Sequence, residues 1–357
     1  MVTVNSEPIS VAIGDNAVVA ITESYSKPVS FTIGTTTSGS GSLGGGSLGG
    51  GTGSSTTTTT TTTTVVAAPS KPREMVWMLS TKPSGSITIT AGVETSQYLS
   101  VLWWDCQVQV VGPGNGVTPL SVSRSIPSTG NWSGSSPKQI YTWSGNRTQS
   151  GGLTSLHCQS GGLVAIDVSD CDSMLSLDCS NNSIRSLDLS KTTALQYVYC
   201  SGNSLASLNT SSLLSLKELY CHSNLLTSLS LSSNVLLESL QANNNQIGTM
   251  SLTGLPNLVN LYFHYNLISF IDLRSSPKLK NVNLIGNFLT SIRATGLQIN
   301  GTLGTSLSQN MLSAAALNTF YQDLAQAAGG KIDVTGNPGA SSDDTSIAIA
   351  KGYTVYG

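Results

Sequence analysis

Charge is the first thing this chain is short of. Asp, Glu, Lys and Arg make up 10% of its 357 residues and sum to a formal charge of −2. Binding to nucleic acid or to an anionic membrane surface rests on clustered Lys and Arg, so composition offers no argument for either. Histidine is rarer still, at three residues. No apolar run comes near the ~20 residues that a membrane-spanning helix needs, so no membrane insertion is expected. No phosphate loop, zinc-ligand spacing or calcium loop occurs, and neither a metal nor another cofactor is expected. The opening residues, Met1-Val2-Thr3-Val4-Asn5, carry neither the basic stretch nor the apolar segment of a secretory signal. On that reading the protein stays in the cytosol or leaves it within an assembled particle. Asn-x-Ser/Thr triplets, at Asn131, Asn146, Asn181, Asn209 and Asn300, are what a chain so rich in these residues produces by chance.

What the chain has is a period. Asn182, Asn203, Asn224, Asn245, Asn266 and Asn287 follow one another at 21-residue intervals, and Gly161 holds the same slot one interval earlier. An apolar frame recurs around each slot. In one unit it is Met174, Leu177, Cys179, Ile184, Leu187 and Leu189; in a later one it is Leu258, Leu261, Phe263, Ile268, Ile271 and Leu273. The pattern is L-x-x-L-x-L-x-x-N-x-L. Units this short cannot bury their own apolar face, so they must stack and share one core. The recurring Asn carries an amide that can bond the backbone of its own turn and of the adjacent coil. At these residues the sequence resembles a leucine-rich repeat array, over roughly residues 151 to 357. Its short unit, with Asp188-Leu189-Ser190 and Asp272-Leu273, is similar to the bacterial and phage-encoded type. The resemblance implies a solenoid of parallel strands and says little about a ligand.

Four of the six cysteines, Cys158, Cys179, Cys200 and Cys221, fill one column of that frame, which Ala242, Phe263 and Leu284 fill afterwards. Replacement by Ala, Phe and Leu marks the column as apolar filler. The expectation is buried, reduced thiols, not a metal ladder.

Five segments follow from composition and pattern. Residues 1–34 alternate apolar and polar in short bursts (Val2, Val4; Ile9, Val11, Ile13; Val29, Phe31, Ile33) and read as a small β module. A module below ~40 residues without Cys or His rarely holds a sufficient core, so it is expected to associate with copies of itself or with a larger assembly. Residues 35–73, with Gly/Ser repeats and the run Thr56 to Thr64, read as a linker of about 35 Å reach. Residues 74–148 hold all five tryptophans and six strand-like runs, and read as a small β-sandwich whose position resembles the Ig-like or PKD-like modules that precede such repeats. It is expected to cap the open end of the array. Residues 149–300 are the repeats. Residues 301–357 are a terminal cap, with a helix from Ser313 to Ala328, a restated strand and Asn turn at 331–338, a short helix over 343–351 and a last strand at 353–355. The expected fold class is therefore mostly β with some α.

In such a repeat, strand residues alternate between the core and the outer, concave face. Six before each slot lie Tyr197 and Glu218. Four before lie His157, Asp178, Tyr199, Tyr220, Gln241, Tyr262 and Asn283. Two before lie His222 and His264, and Tyr265 sits one step further along the same turn. Tyr supplies stiff amphipathic contact area, and Asn and Gln supply adaptable hydrogen bonds. These residues are the candidate ligand-binding set. Stacked tyrosines on neighbouring strands are also ordinary scaffold. The histidines lie two or more repeats apart, too far for one triad, so no enzyme is expected. The function expected from these features is display: a phage virion surface protein anchored through residues 1–34, binding a host protein or glycan through the repeats. The alternative is a bacterial cell-surface or secreted repeat protein.

Overall fold

The computed structural model describes residues 75–80, 86–93, 99–102, 108–111, 118–125, 138–144, 153–169 and 171–357. The expected anchor (1–34) and linker (35–73) lie outside the described residues. Six strands come first: β1 (Met75–Ser80), β2 (Ser86–Val93), β3 (Leu99–Leu102), β4 (Val108–Val111), β5 (Leu120–Ser125) and β6 (Lys138–Ser144). They match the six runs read from sequence. The repeat region adds β7 (Leu153–His157), β8 (Leu163–Asp167), β9 (Ser176–Asp178), β10 (Tyr197–Tyr199), β11 (Glu218–Tyr220), β12 (Ser239–Gln241), β13 (Asn260–Tyr262), β14 (Phe270–Asp272), β15 (Asn281–Asn283), β16 (Ser291–Arg293) and β17 (Thr305–Ser306). The chain closes with α1 (Ala314–Asp323), β18 (Gly330–Asp333), α2 (Ser346–Ile349) and β19 (Tyr353–Tyr356).

Each short repeat strand buries its middle residue and leaves its two neighbours on the other side, as the period of two requires. Successive repeats pair in parallel without slip: Val198 opposite Leu177 and Leu219, Leu240 opposite Leu261. A shift of one residue would expose every one of these leucines, so the apolar frame fixes the register. The result is one sheet running β7, β9, β10, β11, β12, β13, β15, β17, β18, β19. Behind it a second apolar column, Leu187, Leu208, Leu229, Met250, Ile271 and Ile292, closes the interior. Part of this back wall pairs as a small parallel sheet of β14 and β16. The fold is a leucine-rich-repeat solenoid.

The asparagines hold coil to coil. Asn245 Oδ1 accepts the Leu226 N–H at 3.0 Å, and its Nδ2 donates to Cys221 O and Ala242 O, both at 3.1 Å. Two of these three partners belong to the preceding coil and one to its own turn. The set repeats at Asn182, Asn203, Asn224, Asn266 and Asn287. It also repeats at Asn310 and Asn337, where the interval lengthens. Asn337 lies in the restated turn at 331–338; Asn310 is a rung that the strict 21-residue period hides. In every rung one amide satisfies a backbone N–H of the preceding coil, and a turn carbonyl such as Cys221 O takes amides from two successive rungs, as groups cut off from water must be paired.

The β module is continuous with the first repeat on both walls. β2 pairs antiparallel with β7, extending the front sheet to β5, while β1 pairs antiparallel with β8 on the other side. Its described interior is aliphatic: Val76, Met78, Ile87, Ile89, Val101 and Ile140. The tryptophan side chains lie outside the described residues. Leu153, Leu156 and Leu163 of the first repeat complete that core, so the end of the solenoid is covered by a wall that shares its hydrogen bonds.

At the other end the helix starts as expected, with Ser313 Oγ accepting the Ala316 N–H at 3.2 Å. It ends at Asp323, five residues short of the expected Ala328. The residues after it are drawn into bonds between coils: Ala325 N–H to Leu297 O, and Ala327 N–H to Lys351 O, both at 2.8 Å. Asp323 itself accepts from Ala294 N–H and Thr295 Oγ1. Tertiary pairing wins over alanine's helix propensity here. The second helix is shorter than the expected span, at Ser346–Ile349, and the last strand reaches Tyr356.

Candidate binding face

The parallel register carries eight of the eleven candidate residues onto the outward side of one sheet. Tyr197 and Tyr199 lie on β10, Tyr220 on β11, Gln241 on β12, Tyr262 on β13 and Asn283 on β15, with His157 on β7 and Asp178 on β9. His222 and His264 follow just beyond their strands in a shared column. Among the outward positions from Ser155 to Ile285, the only carboxylates are Asp178 and Glu218, and no Lys or Arg occurs.

Inside this face the parts are not equivalent. The Tyr199 and Tyr220 rings lie 4.8 Å apart at a tilt of 48°, and Tyr199 donates its hydroxyl proton to Glu218 Oε2 at 2.8 Å. Burial, and then that carboxylate, push the Tyr199 hydroxyl above the ordinary phenol range. Asp178 is buried, although it occupies an outward position. Its oxygens accept from Gln159 Nε2 and from the Ser180 N–H, so it ties coils together and does not face solvent as a free acceptor. The register sets His157 opposite Asp178, but the carboxylate makes its bonds elsewhere. Asn283 likewise accepts the Ile285 N–H, and Asn281 donates to Asn260 Oδ1 at 2.7 Å.

The two histidines are held neutral. Burial lowers His222, and burial followed by the charge of His222 lowers His264. His264 Nδ1 is shut away from solvent with no hydrogen-bond partner among the described residues. His222 Nδ1 stands 3.3 Å from the Ser223 hydroxyl. Among the described residues no carboxylate bonds the far side of that imidazole, which a nucleophile–base pair would need to orient it. Nor does any cluster of three or more His, Cys, Asp or Glu side chains among them suit a metal ion. No helix among them is long and apolar enough to cross a membrane.

Tyr265 departs from the other candidates. It stands at the turn, not on the strand, and its backbone is left-handed, with φ of 55°. The residue before each slot takes that conformation along the stack: Ser160, Asn181, Gly202, Ser223, Asn244, Tyr265, Gly286, Gln309 and Gly336. Gly, Asn and Ser suit this conformation, and the column was visible in the sequence. A tyrosine there costs about 1–2 kcal/mol. Its ring meets His264 edge-on, with centroids 5.4 Å apart.

A further row escaped the strand-based reading. The residue after each slot points outward, and from the third asparagine onward it is mostly apolar: Leu225, Leu267, Phe288 and Met311, all exposed. Earlier coils carry Ser183 and Ser204 in the same place.

The cysteine column is buried and unbridged, at 0–1% exposure for Cys158, Cys179, Cys200 and Cys221. Burial pushes these thiols up, to about 12 for Cys221, so none is a thiolate at neutral pH.

No family model matches the sequence, and no curated protein does either. Among solved structures, the chain is similar to internalin C2 of Listeria monocytogenes, with 25% identity and a TM-score of 0.34 over 38% of this chain and 72% of that one. It is similar to the functional domain of InlJ from the same species, which includes a cysteine ladder, with 20% identity and a TM-score of 0.31 over 57% of this chain and 54% of that one. InlP of L. monocytogenes matches with 22% identity and a TM-score of 0.38 over 47% of this chain and 50% of that one. The chain thus spans about half the length of the latter two.

Proposed function

We propose that the repeat array is a non-enzymatic binding module that engages a macromolecular partner, protein or glycan, through the outward face of its long sheet. One observation carries this reading. Seven register-matched strands gather Tyr197, Tyr199, Tyr220 and Tyr262 with His222 and His264 on one continuous surface that bears two carboxylates and no cation. Such a surface offers area and hydrogen bonds with few charges to desolvate. The asparagine ladder and shared core fix the strands in advance, which lowers the ordering cost of binding. For its setting we adopt the bacterial cell-surface or secreted reading. The virion reading rests on residues 1–34 as an anchor and 35–73 as an arm, which lie outside the described residues, together with low charge and the lack of a visible secretory signal.

The experiment is a comparison on protein and glycan arrays between the full chain and the triple variant Tyr199→Ala/Tyr220→Ala/Tyr262→Ala. The expected result is retention by the full chain and loss by the variant, with cooperative unfolding preserved. Equal retention moves the site off this face.

A further inference from the structure

We propose that the partner is a protein, and that it is seized at the rim of the face by an uncharged apolar ridge centred on Tyr265, with Leu267, Ile285 and Phe288 as contact residues. The proposal rests on the binding-module reading and narrows it. Tyr265, Leu267 and Phe288 are each about half exposed, at 50%, 49% and 50%. Tyr265 and Leu267 flank the buried Asn266, and Gly286 and Phe288 flank Asn287 in the next coil, so the four form one patch on adjacent turns. Ile285 borders it from the front face, its carbonyl accepting the Tyr265 N–H at 2.8 Å.

Charge decides the class of partner. From Val259 to Ile271, and again from Asn281 to Ile292, there is no Asp, Glu, Lys or Arg. His264, inside the patch, is held toward neutrality by burial. A charged segment laid here would lose its water without gaining a counter-ion. A glycan would press hydroxyls against Leu and Phe with few groups to bond them. An uncharged peptide segment with aliphatic or aromatic side chains suffers neither penalty and gains by burial.

A second observation points to the same place. The other non-glycine residues that take this left-handed turn conformation along the stack are Ser, Asn or Gln, and only here is it an aromatic ring. The turn itself belongs to the scaffold, but a tyrosine kept there against its backbone strain points to a site. The ring is also prearranged, resting over Gly286 and against the edge of His264. Tyr199, by contrast, already commits its hydroxyl to Glu218.

The test uses the full chain on an array of short peptides, uncharged apolar sequences beside charged scrambles, and on a glycan array. Three variants run in parallel: Leu267→Ser/Phe288→Ser, Tyr265→Asn, and Tyr199→Ala/Tyr220→Ala/Tyr262→Ala. Urea unfolding checks each fold, and sedimentation checks self-association. The expected result is retention of uncharged apolar peptides, weakened about tenfold or more in the first two variants. Retention of glycans alone, of charged peptides alone or of nothing overturns it, as does self-association that the ridge variants abolish. If only the triple tyrosine variant loses binding, the ridge falls and the face stands. If no variant loses binding, both fall.

Discussion

The Tyr265 ring lies where a side chain on Gly286 would have to be: a Cβ built there comes within 2.5 Å of Tyr265 Cδ1. The two residues hold the same position in consecutive coils, and both have left-handed backbone, at φ of 55° and 63°. The relationship recurs earlier with a different side chain, since a Cβ on Gly202 would come within 2.6 Å of Asn181 Oδ1. At these two steps the side chain at the turn leans over the next coil, where the matching residue is glycine. Gly286→Ala therefore meets a steric clash and an unfavourable backbone together, and should cost about 2 kcal/mol in urea unfolding. Gly248→Ala, with open space around it and no left-handed backbone, should stay within about 0.5 kcal/mol of the parent.

Tyr265→Asn should move stability the other way. Asn tolerates the left-handed turn, so the substitution relieves strain of about 1–2 kcal/mol. It gives up one exposed edge contact with His264, worth ~0.5 kcal/mol at the low end for aromatic pairs. The relief outweighs the lost contact. The expected outcome is a protein more stable by roughly 1 kcal/mol that has lost affinity for apolar peptides. A variant that is both less stable and unimpaired in binding contradicts the strain argument.

The asparagine rungs set a larger scale. Asn245→Ala leaves the Leu226 N–H and the Cys221 and Ala242 carbonyls without that amide in a dry interior. The two carbonyls keep the amides of Asn224 and Asn266, so the Leu226 N–H is the group left unpaired, and the loss should reach about 1–3 kcal/mol. Asn182, partly exposed at the edge of the array, should cost less when replaced by Ala. Equal losses at the two positions would mean that water replaces the amide at both.

Much of this was legible in the sequence, and the reason is mechanical. Leu177, Val198 and Leu219 cannot leave the core without slipping the whole sheet, so their spacing declares the strands and which neighbours face out. Asn310 went unseen because an insertion delays it to 23 residues after Asn287, while the bonds it makes are the same. The burial of Asp178 depends on Gln159 in the coil before it and on Ser180, which no single repeat reveals. Leu267 and Phe288 are hidden because the alternation that marks outward positions holds only along strands, whereas these two stand beyond the turn. The helix ended early for a similar reason: Ala325 and Ala327 bond distant coils, and local propensity carries no record of that.

The cysteine column predicts chemical silence. With Cys158, Cys179, Cys200 and Cys221 buried, a thiol reagent should label none of them until urea unfolds the array. Cys200→Ala should cost about 1 kcal/mol, through the small cavity it leaves. Cys200→Ser should cost more, because it leaves a hydroxyl in apolar surroundings. A serine variant as stable as the alanine one would indicate a polar interior at that column.

The histidine pair gives the fold a pH response with a definite sign. Burial lowers both His222 and His264 below the ordinary value of 6.5, and the charge of His222 lowers His264 further. The unfolded chain takes up protons near pH 6.5, whereas the folded one resists until lower pH. Over that interval the unfolded state binds more protons, so stability falls as pH falls. Above 6.5 the two rings are neutral in both states and add nothing to the pH dependence, until the raised cysteine thiols begin to lower stability near their ordinary value of 9.0. The carboxylates Asp188 and Asp272 add their own loss, but only below the ordinary carboxylate value of 3.8, because their pKa values are lowered by hydrogen bonds. Thermal unfolding should therefore show a shoulder between the two regions, and His222→Gln/His264→Gln should remove it while leaving the acid limb intact. Both rings are partly exposed, so the shoulder is small and shrinks with salt. A variant whose profile matches the parent's through that interval would mean that the two imidazoles titrate as freely folded as unfolded.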